Sequence, residues 1–167
     1  MKLRDAGSND VIALKNLWRS FMLELHHGNA PSTQDAEFWG TRLQSQIGRK
    51  QAVVADDGQH IQGFAGFIDR ADRPWVPPAV AFLVDLYVSP AFRGKAIGVA
   101  LLRHIMERAA RNGCAKVWTN TEESNQPAQR CLERAGFGTL TGFELPRLKH
   151  QKVTLHPSAR VSEIFAF

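Results

Sequence analysis

The stretch Leu83 to Leu102, LVDLYVSPAFRGKAIGVALL, narrows what this chain can become more than any other. It completes an almost unbroken apolar run, AVAFLVDLYV over residues 79–88, which reads as a strand buried on both faces with Asp85 as its one charged member. Ser89-Pro90 turns the chain, and Arg93-Gly94-Lys95-Ala96-Ile97-Gly98 leads directly into a helix that carries Ile97, Leu101, Leu102, Ile105, Met106 and Ala109 at helical spacing. Small residues at 94, 96 and 98 let backbone N–H groups come close to a ligand, and the helix dipole favours an anion there. A buried strand running through such a turn into a helix implies a helix-covered sheet with a diphosphate-sized anion site at the junction.

The flanking elements suit that sheet. Leu14, Leu17, Trp18, Phe21, Met22 and Leu25 recur on one helical face behind Ser8, Asn9 and Asp10, any of which can cap a helix. Phe38, Trp39, Leu43 and Ile47 predict a second helix ending near Gly48. Strands are expected at Lys2 to Arg4, Gln51 to Ala55 and Ile61 to Ile68, the last two joined by the hairpin signal Asp57-Gly58. Ala115 to Thr121 reads as another strand. Asn125 caps a helix that tolerates Pro127 in its first turn and closes at Gly136. One or two strands are expected between Phe137 and Phe167. No linker or repeat interrupts the order, so residues 1–167 are read as one domain.

Three phosphate-binding patterns compete for the turn. A Walker loop needs Gly at position 89 and Ser or Thr at 96, where Ser89 and Ala96 stand. A Rossmann fingerprint needs G-x-G-x-x-G, whereas this turn has G-x-x-x-G, although Glu122 imitates the ribose-binding acid. The turn instead resembles motif A of the GNAT N-acetyltransferase superfamily, Q/R-x-x-G-x-G/A, with Arg93 first, Gly98 last and Ala96 at the usual central Gly. NQPAQRCLERAGF, residues 125–137, is similar to the family's second motif, an N-x-x-A helix ending in G-F. The resemblance spans about residues 1–145.

It implies an α/β GNAT fold: a mixed, mostly antiparallel sheet of six to seven strands, splayed between the strand ending at Val88 and the strand Ala115 to Thr121, with four helices. It implies acetyl-CoA as cosubstrate, held by the amides of Arg93, Gly94, Lys95, Ala96, Ile97 and Gly98, with the main chain of Tyr87 and Val88 on the pantetheine arm and Asn125 at the cofactor's edge. The methyl of Ala96 is a small load if its backbone is already helical. The family's Tyr, a general acid seven residues after the Asn, is replaced by Leu132; a thiolate leaves without enzymic protonation, so transfer survives the change.

The expected reaction is direct attack of a primary amine, on a small molecule or a peptide or protein, upon the thioester in a ternary complex. The amides near Val88 would polarise the carbonyl. A carboxylate must take the amine's proton: Asp85, a lone acid in an apolar strand that is either functional or structurally satisfied, or Glu122 or Glu123 after the neighbouring strand. His26 and His27 lie where this family covers the acceptor, though exposed loop histidines are the plainer account. Trp39 and Trp75 are candidates to line an acceptor pocket, while Trp18 and Trp118 read as core. Cys114 and Cys131 have no partner base nearby in sequence, and Cys131 lies on an apolar stripe that raises a thiol pKa, so no acetyl-cysteine is expected. The alternative from another class is a coenzyme A sensor without turnover.

The net charge of +5 invites a nucleic-acid reading, but Lys and Arg are scattered and the densest group, Arg147, Lys149, His150 and Lys152, has no interleaved aromatics. Two cysteines outside any C-x-x-C spacing argue against a disulfide framework or a cysteine zinc site, and no metal is expected. No signal-like or membrane-length apolar run occurs, which reads as a cytoplasmic protein. A homodimer is compatible with all of this.

Overall fold

The computed structural model describes residues 1–69, 80–122 and 124–138. In chain order these form β1 (Lys2–Asp5), α1 (Val11–Leu25), α2 (Thr33–Gly48), β2 (Ala52–Asp56), β3 (Ile61–Asp69), β4 (Val80–Val88), α3 (Ile97–Arg111), β5 (Lys116–Trp118) and α4 (Gln126–Ala135). The five strands make one sheet in sequence order, antiparallel from β1 to β4 and parallel between β4 and β5. The mixed α/β class and the four helices are as expected. The described sheet has five strands, not six or seven; the strands expected beyond Gly138 lie outside the described residues, as do Trp75 and Glu123.

Local chemistry accounts for the element ends. Ser32 accepts the Asp35 N–H while the Asp35 carboxylate accepts the Ser32 N–H, a capping box that starts α2. Asp57 accepts the N–H groups of Gln59 and His60, and Gly58 takes φ +92° in the β2–β3 turn. Asp10 leaves the α1 end uncapped by its side chain, because Arg4 takes both its oxygens.

Alternation divides the sheet into two buried faces. Val53, Ala55, Ala65, Phe67, Leu83, Leu86 and Val88 pack against Leu101, Leu102 and Ile105 of α3. Val54, Phe64 and Tyr87 pack against Leu14, Trp18, Trp39 and Leu43 of α1 and α2. Trp18 and Trp39 stack at 5.0 Å in that second core, so Trp39 is core. Trp118, expected in the core, is 43% exposed: β5 has only three residues, and the ring of this one meets that of Phe82 at 6.4 Å.

One irregularity positions the site. Gly66 pairs with Asp85 and Phe67 with Leu83, so Val84 has no counterpart on β3. This β-bulge reverses the alternation of β4. Leu83 faces α3, whereas Asp85 and Tyr87 face α1 and α2. In a regular strand without the bulge, Asp85, two residues after Leu83, would stand on the same face as Leu83.

Candidate active site

β4 and β5 pair only from Val80 to Phe82, and the Thr119 hydroxyl donates to the Leu83 carbonyl at 3.2 Å just beyond. Past that point, β4 continues to Val88 without a described partner on this side, the expected splay. At its end Ser89 returns an N–H to Gln62 O, Pro90–Phe92 make a short 3-10 turn, and α3 begins at Ile97. Ala100 is the first α3 residue to bond back, to Ala96 O at 3.0 Å. The preceding amides of Ile97, Gly98 and Val99 therefore have no backbone partner among the described residues, a fitting cradle for a diphosphate. Lys95 is exposed beside them, its Nζ 5.3 Å from the Phe92 ring.

Each small residue of the turn has its own reason. Gly94 takes φ +77° in open space, so backbone conformation alone selects glycine. Ala96 takes φ +59° and ψ 14°. It is left-handed and not helical, so its methyl group is a load of about 1 kcal/mol where the family has glycine. Ala96→Gly is accordingly expected to leave the fold intact and raise stability by up to about 1 kcal/mol, read from urea unfolding. Gly98 is small for packing: a β-carbon there would stand 2.8 Å from Cys131 Sγ on α4. A large side chain at 98 would thus strain α4 as well as block a ligand, and is no clean probe of the cradle.

Arg93 does not extend along the α3 start. Its Nε donates to Val88 O at 2.9 Å and its Nη2 to Glu24 Oε2 at 2.7 Å, while the Tyr87 hydroxyl donates to Glu24 Oε1 at 2.6 Å. This triangle ties the last turn of α1 to the end of β4. Burial works to raise the Glu24 carboxyl, but the bonds from Tyr87 and Arg93 outweigh it and hold it below the usual range. Burial and the Glu24 carboxylate push the Tyr87 hydroxyl up to about 12. Asn125 caps α4, accepting the Ala128 N–H at 3.2 Å, so its side chain has a structural task.

Of the three candidate acids, the structure builds one into the sheet. Asp85 is 5% exposed, and Arg42 Nη2 donates to both its oxygens at 2.8 Å. Burial raises its carboxyl above the ordinary range, opposed by the Arg42 charge, the nearby Trp39 indole and the Arg42 hydrogen bond. The Trp39 Nε1 lies close to Asp85 without meeting hydrogen-bond geometry. Glu122 is an exposed loop acid whose carboxylate meets only Ser124 Oγ, at 3.4 Å, among the described contacts. His26 caps the end of α1 through its backbone, and exposed His27 adopts φ +53°. Leu132 packs beside the α3 core, and burial pushes the Cys131 thiol up. Glu24 and Arg42 were missed by sequence reasoning, because their partners lie 69 and 43 residues away and no local pattern announces them.

No described helix is long and apolar enough to cross a membrane, and no group of three metal-ligating side chains occurs among the described residues. Comparison with known proteins agrees with this fold. An aminoglycoside N(6')-acetyltransferase type 1 from Klebsiella aerogenes is 29% identical over 127 residues, 72% of this chain and 80% of that protein. The streptothricin acetyltransferase of Streptomyces lavendulae is 38% identical over 89 residues, 53% of this chain, which spans less than half (44%) of that relative. In fold, the aminoglycoside acetyltransferase AAC(6')-Iy, solved with the bisubstrate analogue CoA-S-monomethyl-acetylneamine, superposes with a TM-score of 0.69 at 17% identity, covering 87% of this chain and 96% of that one. Residues 13–137 match the family model described as acetyltransferase (GNAT) family. The chain belongs to the GNAT acetyltransferase family.

Proposed function

We propose that this protein transfers the acetyl group of acetyl-CoA to a primary amine of a small molecule, by direct attack within a ternary complex. The observation that carries the reading is the β4 bulge. It puts Asp85 on the α1–α2 face, while the unpaired amides of α3 open at the end of the same strand. Relatives named for aminoglycoside and streptothricin acetylation support a small, amine-bearing acceptor.

In this mechanism the amides of Ile97, Gly98 and Val99, with Lys95 beside them, bind the diphosphate, and the main chain of Tyr87 and Val88 orients the pantetheine arm in the splay. The amine nitrogen forms a bond to the thioester carbonyl carbon, and its proton passes to the Asp85 carboxylate. The C–S bond breaks with its electron pair on sulfur. The thiolate is a stable leaving group, so Leu132 in place of a hydroxyl donor is tolerated. Cys131 takes no part: it is packed against Gly98 and its thiol is harder to ionise than usual.

Initial rates of coenzyme A release, measured while acetyl-CoA and a responsive amine are both varied, are expected to give intersecting double-reciprocal plots. Cys131→Ala and Cys114→Ala should keep most of the activity. Parallel plots together with an acetylated cysteine peptide in the mass spectrum would contradict direct transfer. The sensor reading draws on Leu132, and it predicts coenzyme A binding with no amine-dependent release at all.

A further inference from the structure

The inward polar side chains of α2 converge on Asp85. Trp39, Arg42 and Gln46 lie along one side of the helix. The Gln46 amide sits where a β-carbon of Gly66 would stand, its Nε2 2.8 Å and Asp85 Oδ2 3.1 Å from that point. Trp39 Nε1, Arg42 Nε and Gln46 Nε2 are buried donors without a hydrogen-bond partner among the described residues, so this pocket of the fold offers more donors than the carboxylate has engaged. On the other elements packed here, β3 presents uncharged Gly66 opposite Asp85. From α1 comes Glu24, which reaches Tyr87 and is itself paired with Arg93.

The contact between Arg42 and Asp85 is end-on. A single nitrogen, Nη2, serves both oxygens, and the parallel two-nitrogen fork is not formed. A carboxylate offers about four acceptor positions, so the end-on contact leaves room on each oxygen for a further donor. A carboxylate buried this deeply with no counter-charge would take up a proton at neutral pH and lose its capacity to accept another.

We propose that Arg42 is a positioning residue for Asp85: it fixes both carboxylate oxygens from α2 and keeps them anionic, without touching the substrate itself. This rests on Asp85 being the proton acceptor. Arg42 then sets the pH at which the enzyme becomes competent, while the two oxygens retain acceptor positions for the incoming ammonium.

The test measures kcat/KM for a responsive amine against pH in wild type, Arg42→Met, Arg42→Lys and Asp85→Asn. A carbon-detected NMR titration of the Asp85 carboxyl in the substrate-free proteins accompanies it. Loss of the cation should move the acid limb of Arg42→Met upward by about one to three pH units, with rates approaching wild type above the limb and KM for acetyl-CoA within about twofold. Arg42→Lys should fall between the two and also serves if the Met variant does not fold. A uniform rate loss at every pH with an unmoved carboxyl titration would overturn the proposal, since an anchor between α2 and β4 would behave that way. If the carboxyl titration moves but Asp85→Asn keeps the wild-type limb and rate, the reading of Asp85 as proton acceptor falls and the positioning role falls with it.

Discussion

Asp85→Asn should lower kcat by at least about a hundredfold at neutral pH, the usual contribution of a positioned acid or base. The amide keeps the size of the side chain but can neither accept a proton nor carry the charge that Arg42 meets at 2.8 Å. It also leaves that guanidinium, 20% exposed, without its counter-ion, so urea unfolding of the variant should accompany the kinetics. The rate should therefore be compared where both proteins are fully folded. The pH dependence separates the two effects. Burial places the folded-state carboxyl of Asp85 above its unfolded value. As a base it is active when ionised, so wild-type kcat/KM should rise as pH increases through a point above the ordinary carboxylate range. Its contribution to stability has the opposite sense: the folded protein holds this proton more tightly, so the contribution is complete below the unfolded pKa and is lost as pH rises through the folded one. Asp85→Asn should abolish that dependence along with the rate. A variant retaining more than a third of wild-type kcat would exclude Asp85 as the proton acceptor.

Reversing one charge beside the α3 amides should weaken coenzyme A binding by roughly thirtyfold, about 2 kcal/mol, while leaving the fold alone. Lys95→Glu is suited to this because Lys95 is exposed and its one described contact, over the Phe92 ring, is of a kind worth at most about 1 kcal/mol at the surface. Replacing a cation by an anion opposes a diphosphate directly, and the loss should shrink at high salt as the charges are screened. Calorimetric titration of coenzyme A into the two proteins reads the effect. Equal affinities at low salt would move the cofactor away from the start of α3.

The parts of the site made from neighbours in sequence are legible in the sequence itself. The strand–turn–helix around Arg93, the Asn125 cap, the Asp57-Gly58 hairpin and the inward stripe of α3 all depend on contacts a few residues long. What escaped depends on register and distance. The bulge at Val84 exists only relative to β3, and it decides that Asp85 faces α2 rather than α3. Arg42 and Glu24 become partners of the site through 43- and 69-residue separations. Gly98 looked like a ligand-facing glycine because the motif explains it locally; its close neighbour is Cys131 on another helix. Ala96 was legible as a departure from the motif, but its left-handed backbone was not, since alanine rarely adopts that conformation. The expectation that Trp118 is core failed for a related reason: the side chain suits a buried strand, but β5 has three residues and leaves it half-covered.

The central claim is turnover: this chain acetylates an amine at the expense of acetyl-CoA. The most direct measurement combines free coenzyme A release with mass spectrometry of the acceptor, across aminoglycosides, streptothricin-type amines, polyamines, amino acids and peptide N-termini. Release should depend on a small-molecule amine and match, mole for mole, an acceptor heavier by one acetyl group. Coenzyme A that binds but is never released beyond the amine-free rate, with every acceptor class unmodified, would contradict the account.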